Sequence, residues 1–264
     1  MRFVLGFVLS AVIAAIAWRR GSLSRSGAIA AVVVGTLVFG CGGPGSGALL
    51  IVFFVSSSAL SRLTSWRKAQ AAALFAKGSR RDAVQVLANG GIAVALAVGQ
   101  FVWPHPWWWP AFIGAIAAAT ADTWSTEVGT LGRQPPRLIT TGRPVAAGTS
   151  GAISLPGTLA AVAGGALIGG LAGVLGDGLT FAQALLTGIT AGVFGCFADS
   201  LLGATVQGRF FCDSCRQAGE QLRHRCGRPA RRLGGIAAIN NDAVNGLGCA
   251  FGAVAGVIAA AMLV

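Results

Sequence analysis

Residues 27–62 read GAIAAVVVGTLVFGCGGPGSGALLIVFFVSSSALSR, an apolar run with no charge before Arg62. A helix that crosses a membrane needs roughly 20 apolar residues. The run is therefore read as two spans, 27–42 and 45–62, divided only by Cys41-Gly42-Gly43-Pro44-Gly45. Working outward by the same criterion, further spans fall near 3–18, 83–103, 107–127, 151–175, 180–206 and 240–263, eight in all. Met1-Arg2 before an apolar run could open a signal peptide. Trp18-Arg19-Arg20 stands where small residues would mark a cleavage site, so 3–18 is kept as a span.

The charge pattern tests this division. Basic residues follow spans one, three, five and seven: Arg19 to Arg25, Arg62 to Arg81, Arg133 to Arg143, and Arg209 to Arg232. Of 20 basic residues, only Arg2 falls elsewhere. By the positive-inside rule this is an eight-span, all-α bundle with both termini on the outer side, in an inner (cytoplasmic) membrane. Residues 1–264 form a single membrane domain, and 207–239 a cytoplasmic loop. A mean hydropathy of +0.71 agrees, as do 11% charged residues, where a soluble domain carries about a quarter. The 40 glycines suit close helix packing in lipid, where nothing hydrophobic drives association. The net charge of +12 reads as topology and anionic-lipid contact, not nucleic-acid binding. The tryptophans of Trp103-Pro104-His105-Pro106-Trp107-Trp108-Trp109 read as an interfacial belt, with His105 a bland member.

Only eight acids are present, and five of them, Asp82, Asp122, Glu127, Asp199 and Asp242, sit at cytoplasmic span ends. Such acids are costly and point to function. Ala121-Asp122-Thr123 and Ala198-Asp199-Ser200 close spans five and seven; Asp82-Ala83-Val84-Gln85 and Asp242-Ala243-Val244-Asn245 open spans four and eight. The order is reversed, which suggests two helix pairs facing each other with their acids at one depth. Asp82, Gln85 and Asn89 share a helix face, as do Asn241 and Asn245. Capping alone would account for Asp82 and Asp242 at helix N-termini. Asp122 and Asp199 oppose the dipole at C-terminal ends, so a cation such as Mg²⁺ is expected there. Asp122 and Glu127 are five apart and could share an ion only if the helix loosens near Gly129.

Before span six runs a segment that includes Arg137, Thr140, Thr141, Arg143 and Gly148-Thr149-Ser150-Gly151. It offers backbone N–H groups, hydroxyls and charge to a phosphate. It lacks the Gly-Lys-Ser/Thr end of a Walker loop, and Thr149 or Ser150 could simply cap the next helix. Acids for Mg²⁺, a phosphate-friendly loop and arginines on one face suggest phosphoryl transfer, which rests on positioning and charge neutralisation. In the 207–239 loop, Cys212-Asp213-Ser214-Cys215 and His224-Arg225-Cys226 offer three thiolates and an imidazole. These suit a structural, tetrahedral Zn²⁺ site.

Several stretches together resemble the integral membrane family of transmembrane protein nineteen, which includes the plant phytyl-phosphate kinase. They are Arg81-Asp82-Ala83-Val84-Gln85-Val86-Leu87-Ala88-Asn89-Gly90, Ala121-Asp122-Thr123-Trp124-Ser125-Thr126-Glu127-Val128-Gly129, Ile139-Thr140-Thr141-Gly142, Gly148-Thr149-Ser150-Gly151, Ala198-Asp199-Ser200-Leu201-Leu202-Gly203-Ala204-Thr205-Val206-Gln207 and Asn241-Asp242-Ala243-Val244-Asn245. The resemblance implies a kinase that converts a phytyl or polyprenyl monophosphate to the diphosphate with CTP or ATP and Mg²⁺. In that reading Asp122, Glu127, Asp199 and Asp242 bind Mg²⁺, with Asp82 among the catalytic acids. Asn89, Asn241, Asn245, Thr123, Ser200 and Gln207 orient ligands. Arg80, Arg81, Arg137, Arg143, Thr140, Thr141 and the 148–151 turn hold nucleotide phosphates. A transporter or lipid scramblase could use the same acids, but would carry polar groups through to both faces. Here the outer half has only Asp177. A zinc-stapled structural or assembly protein is a third class. Oligomeric state is left open by the sequence.

Overall fold

The structure, a computed structural model, describes residues 1–62, 80–176, 178–220, 222–223 and 226–263. Arg67, Lys68, Lys77, Asp177, His224 and Arg225 lie outside the described residues. Seven helices form the body: α1 (Arg2–Arg19), α2 (Arg25–Ser61), α3 (Ala83–Val102), α4 (Trp108–Gly129), α5 (Leu155–Leu175), α6 (Phe181–Thr205) and α7 (Asn241–Leu263). Six of them, all but α4, are long and apolar enough to cross a membrane. Large apolar side chains such as Val4, Phe7, Val12, Val33, Val55, Leu159 and Phe194 are exposed on their outer faces. Lipid is the solvent that tolerates such a surface.

The 27–62 run is a single helical element with a break. Gly43 adopts φ +81, ψ −176 inside α2, and Pro44 follows. The glycine accepts a backbone that a side chain would strain, and proline supplies no N–H to continue the ladder. The two arms come back together. Arg62, just past the second arm, donates to Ser22 Oγ, just before the first, at 2.8 Å, and Gly47 lies against Phe39. At the tip, Gly43 faces Arg2, and Gly45 faces Trp109 and Leu175.

α4 is the centre of the bundle. Every residue from 110 to 121 is buried, and α2, α3, α5, α6 and α7 all pack on it. Small residues make this possible. A Cβ at Gly252 would lie 2.6 Å from the Gly114 carbonyl oxygen, and one at Gly188 only 2.6 Å from the Gly169 nitrogen. The main apolar cluster, including Val38, Leu49, Ile113, Ile116 and Ile168, lies where α2, α3, α4 and α5 meet.

Two small sheets at the arginine-rich end add to the helical fold expected from sequence. β1 (Arg137–Leu138) pairs antiparallel with β2 (Ala152–Ile153). β3 (Arg209–Cys212), β4 (Gln217–Gly219) and β5 (Arg231–Gly234) form a sheet in the order β4-β3-β5. The span expected at 151–175 consequently starts at Leu155. Its first residues are spent on β2, and the cap is Ser154, which accepts from Gly157 N–H at 3.2 Å. Thr149 and Ser150 do not cap it: Thr149 donates to the Ala146 carbonyl at 2.7 Å and Ser150 reaches Gln207.

Candidate functional site

Asp122 on α4 and Asp199 on α6 face each other within electrostatic reach, both half-buried. Their surroundings come from four helices. The Asn245 amide, oriented by its neighbours, donates to Asp199 Oδ2 at 3.0 Å and to the Asn241 carbonyl at 3.2 Å. Cys249 stands near both acids, with its thiol 3.9 Å from the Asn89 carbonyl oxygen. Cys196 is also near both and hydrogen bonds with Ser125. Among the described residues no ion pair reaches Asp122 or Asp199. Thr123 turns back onto its own helix, donating to the Ala119 carbonyl at 2.9 Å. Of the two helix pairs suggested by the repeated settings, the acids of α4 and α6 meet, while Asp82 at the start of α3 caps its own helix.

Glu127 points elsewhere. α4 stays helical through Gly129, so five residues at about 100° each carry Glu127 well away from the face of Asp122. It faces Arg81 instead. The loosening that would let both acids share one ion does not occur. Burial lowers the Arg81 guanidinium from its ordinary value, and Glu127 opposes that shift. Arg81 also donates to Ser58 Oγ at 3.4 Å and lies 5.9 Å from the Phe54 ring centroid. Arg80 donates to the Leu23 carbonyl at 3.4 Å. Both arginines therefore join the α1–α2 turn to α3, whose first residues the two arms of α2 flank. Asp82 caps α3 in a reciprocal box: Gln85 N–H donates to Asp82 Oδ1 at 3.0 Å and Asp82 N–H to Gln85 Oε1 at 3.1 Å. Asn89 donates to the Gln85 carbonyl at 3.0 Å.

Asp242 is different. The cap of α7 is supplied by Asn240, whose Oδ1 accepts from Ala243 N–H at 3.0 Å. Asp242 is buried, 7% exposed, and interacts with Glu220. Glu220 follows β4 directly, reaches toward Asp199 as well, and contacts the fully buried Gln207. Gln207 Oε1 in turn accepts from Ser150 Oγ at 2.8 Å. A polar chain thus runs from the glycine-rich loop to the acids. The loop seats by close approach: a Cβ at Gly151 would lie 2.7 Å from the Ser200 carbonyl oxygen. Arg137, Thr140, Thr141 and Arg143 form an exposed lobe beyond it, closed by Arg137 donating to the Gly142 carbonyl at 2.8 Å. Sequence reading missed Glu220, along with Ser125, Cys196 and Cys249. Its only signal was scarcity, one of eight acids in an arginine-rich loop.

Burial pushes the Glu220 carboxyl up to about 7, with Asp242 adding to the rise and Gln207 opposing it. The folded protein then holds this proton more tightly than the unfolded chain. Its contribution to stability is complete below the unfolded value of about 4.3 and is lost as pH rises toward 7. Tryptophan-fluorescence melts in detergent without added Mg²⁺ are expected to show stability falling from pH 5 to pH 8, and Glu220→Gln to flatten that fall. An unchanged slope in the variant would contradict this assignment.

Among the described residues, only Cys212, Cys215 and Cys226 bring three His, Cys or acid ligand atoms within 4.8 Å of one another. His224, the fourth ligand expected from sequence, lies outside the described residues.

A helical bundle with apolar outer faces defines the class: an integral membrane protein, with Asp122, Asp199, Glu220 and Asp242 grouped at one end. Residues 8–253 match the family model described as integral membrane protein DUF92, and the chain belongs to that family. It is 34% identical to Protein PGR of Arabidopsis thaliana, over 92% of this chain and 91% of the relative. It is 36% identical to an uncharacterized membrane protein of Methanocaldococcus jannaschii, over 77% of this chain and 83% of that one. With Protein VTE6, chloroplastic, of Arabidopsis thaliana it shares 29% identity over 70% of this chain and 56% of the relative. These matches bear out the family resemblance carried by the motifs. No solved structure matches the chain.

Proposed function

We propose that this protein is a membrane kinase that transfers the terminal phosphoryl group of a nucleoside triphosphate, CTP or ATP, to an isoprenyl monophosphate. The observation that carries the proposal is the facing pair Asp122 and Asp199, half-buried, without a cationic partner among the described residues, at the arginine-rich end of the bundle. The family resemblance read from the motifs supplies the substrate class.

Two carboxylates fit Mg²⁺, which usually takes one or two protein carboxylates and keeps water and substrate phosphate for its other positions. Asp122 and Asp199 would hold it, and Asn245 fixes the orientation of Asp199. When bound, the ion neutralises charge on the transferring phosphoryl group. Glu127 faces Arg81 and is assigned to holding α3 against α4, while Asp242 and Glu220 line the approach from the loop. An oxygen of the isoprenyl phosphate attacks the terminal phosphorus, the bond to the bridging oxygen breaks, and the nucleoside diphosphate departs. The acceptor oxygen is already ionised near neutral pH, since a phosphate monoester has a second pKa of about 6. No histidine base is needed. Ser150 and the 148–151 backbone, seated against the end of α6, would receive nucleotide phosphates, with Arg137 and Arg143 supplying charge from the exposed lobe. The isoprenyl tail would lie in lipid or between small-residue helix faces.

Topologically, the proposal places eight spans in an inner membrane, with the arms of α2 as separate spans, both termini outside and the site cytoplasmic. The returning arms of α2 support it. Single cysteines introduced at Ser22 and Gln134, with labelling read at each introduced position by peptide mapping, are expected to label only from the inner side of oriented vesicles, and one near the N-terminus only from outside. The opposite pattern would reverse the orientation. For the reaction, purified protein with labelled nucleotide, Mg²⁺ and phytyl or polyprenyl phosphate should form diphosphate. No Mg²⁺-dependent product with any acceptor would overturn the reading, and lipid movement between leaflets in the same vesicles would favour a transporter or scramblase.

A further inference from the structure

We propose that Cys212, Cys215 and Cys226 bind one Zn²⁺ as thiolates, and that the ion clamps the outer end of the β3–β4 hairpin. Cys212 is the last residue of β3, and Cys215 lies in the turn that leads into β4. Cys226 comes from the segment before β5. Cys212 Sγ and Cys226 Sγ are 3.7 Å apart. A tetrahedral ion with Zn–S bonds of about 2.3 Å has sulfur–sulfur edges of about 3.8 Å. All three sulfurs fall within 4.8 Å of one another, and none is in a disulfide. Three soft thiolates at this spacing select zinc over the hard Mg²⁺ assigned to the carboxylates.

The protein already holds these sulfurs in register. Arg231 Nε donates to Asp213 Oδ1 at 3.1 Å, and Arg228 to Ser214 Oγ at 2.9 Å. These bonds tie the hairpin turn to the chain that follows Cys226. β3 also pairs with β5, placing Phe211 opposite Arg231, and that guanidinium lies 5.2 Å from the Phe211 ring centroid. The arginines offset the negative charge that three thiolates leave on a divalent ion. Ion-pair support of this kind around first ligands is what orients a metal site.

The position explains what the clamp does. The hairpin ladder runs from Cys212↔Gln217 at the cysteine end to Phe210↔Gly219 at the other. Glu220 is the next residue, and it is delivered against Asp242 and toward Asp199. Three strand residues, about 10 Å of extended chain, separate the clamp from that carboxylate. Zinc is therefore structural: it fixes a small sheet whose inner end carries an acid into the polar site.

Full-length protein purified in detergent without chelator should contain about one zinc per chain by elemental analysis. Cys212→Ser and Cys215→Ser should each lose most of it. Replacement by Co²⁺ should give the intense near-ultraviolet absorption of cobalt–thiolate bonds. The proposal fails if wild-type protein takes up no zinc even after incubation with the metal, or if Cys215→Ser retains all of it. If the serine variants aggregate, native protein decides. Alkylation of the exposed Cys215 and Cys226 should accelerate on chelation, and equal rates with and without chelator overturn the site.

Discussion

Asp122→Asn and Asp199→Asn are each expected to lower Mg²⁺-dependent phosphoryl transfer by about 10²–10³-fold, the scale for removing one preorganised electrostatic partner of a transition state. Asparagine keeps the shape of aspartate but removes the charge that holds the cation. The Asp199 variant also keeps an acceptor for Asn245, now 3.0 Å from its Oδ2. The double variant should be scarcely worse than either single one, because the two carboxylates act as a unit. Glu127→Gln should instead reduce thermal stability along with activity, because its partner is Arg81 on another element. Steady-state rates across a Mg²⁺ titration, with melting curves on the same samples, separate these outcomes. Full activity in both single variants would remove the pair from the mechanism.

The second large effect is on the fold. Gly188→Val should prevent isolation of a monodisperse protein in mild detergent, or lower its melting temperature sharply. A Cβ at residue 188 would meet Gly169 N at 2.6 Å, and the reciprocal Cβ at 165 would lie 2.6 Å from the Gly188 carbonyl oxygen. Backbone is in contact with backbone across α5 and α6, and neither side can rotate away. Overpacking in a core costs roughly 1–3 kcal/mol when side chains can shift, and here the obstacle is main chain. Gly91→Ala is the control. Nothing lies within 4 Å of that position, so the variant should melt at or above wild type, since alanine favours helix by about 1 kcal/mol. Equal behaviour of the two variants would refute the packing argument.

Much of the helical plan was legible because membrane helices are long, apolar and bounded by arginines. The division of 27–62 was readable from Gly43-Pro44, since both residues break helices for separate local reasons. The start of α5 was not. Residues 151–153 are apolar or small enough to extend a span, and only the pairing of Ala152 with Leu138 claims them for a strand. α4 was read as a span from its length, yet its thoroughly enclosed middle is set by neighbours remote in sequence. Among the acids, scarcity and helix-end position led to Asp122 and Asp199, because an unpaired charge there needs a reason. The separation of Glu127 from Asp122 followed from helix geometry once the helix was seen to continue through Gly129. Glu220 was hidden because a three-stranded register, not any local pattern, carries it to the site.

The enclosure of α4 has a consequence for how the chain is made. Synthesis proceeds from the N-terminus, so α4 leaves the ribosome with α2 and α3 available and α5, α6 and α7 still to come. Those three later helices cover much of its surface in the finished protein. Until they arrive, Thr120, Thr123 and Asp122 would face acyl chains, a costly exposure for polar and ionisable groups. The helix is also the one of the seven whose composition alone does not qualify it to enter lipid. The segment that carries the central aspartate is thus the least apolar of the seven, and much of its cover comes from helices later in the chain.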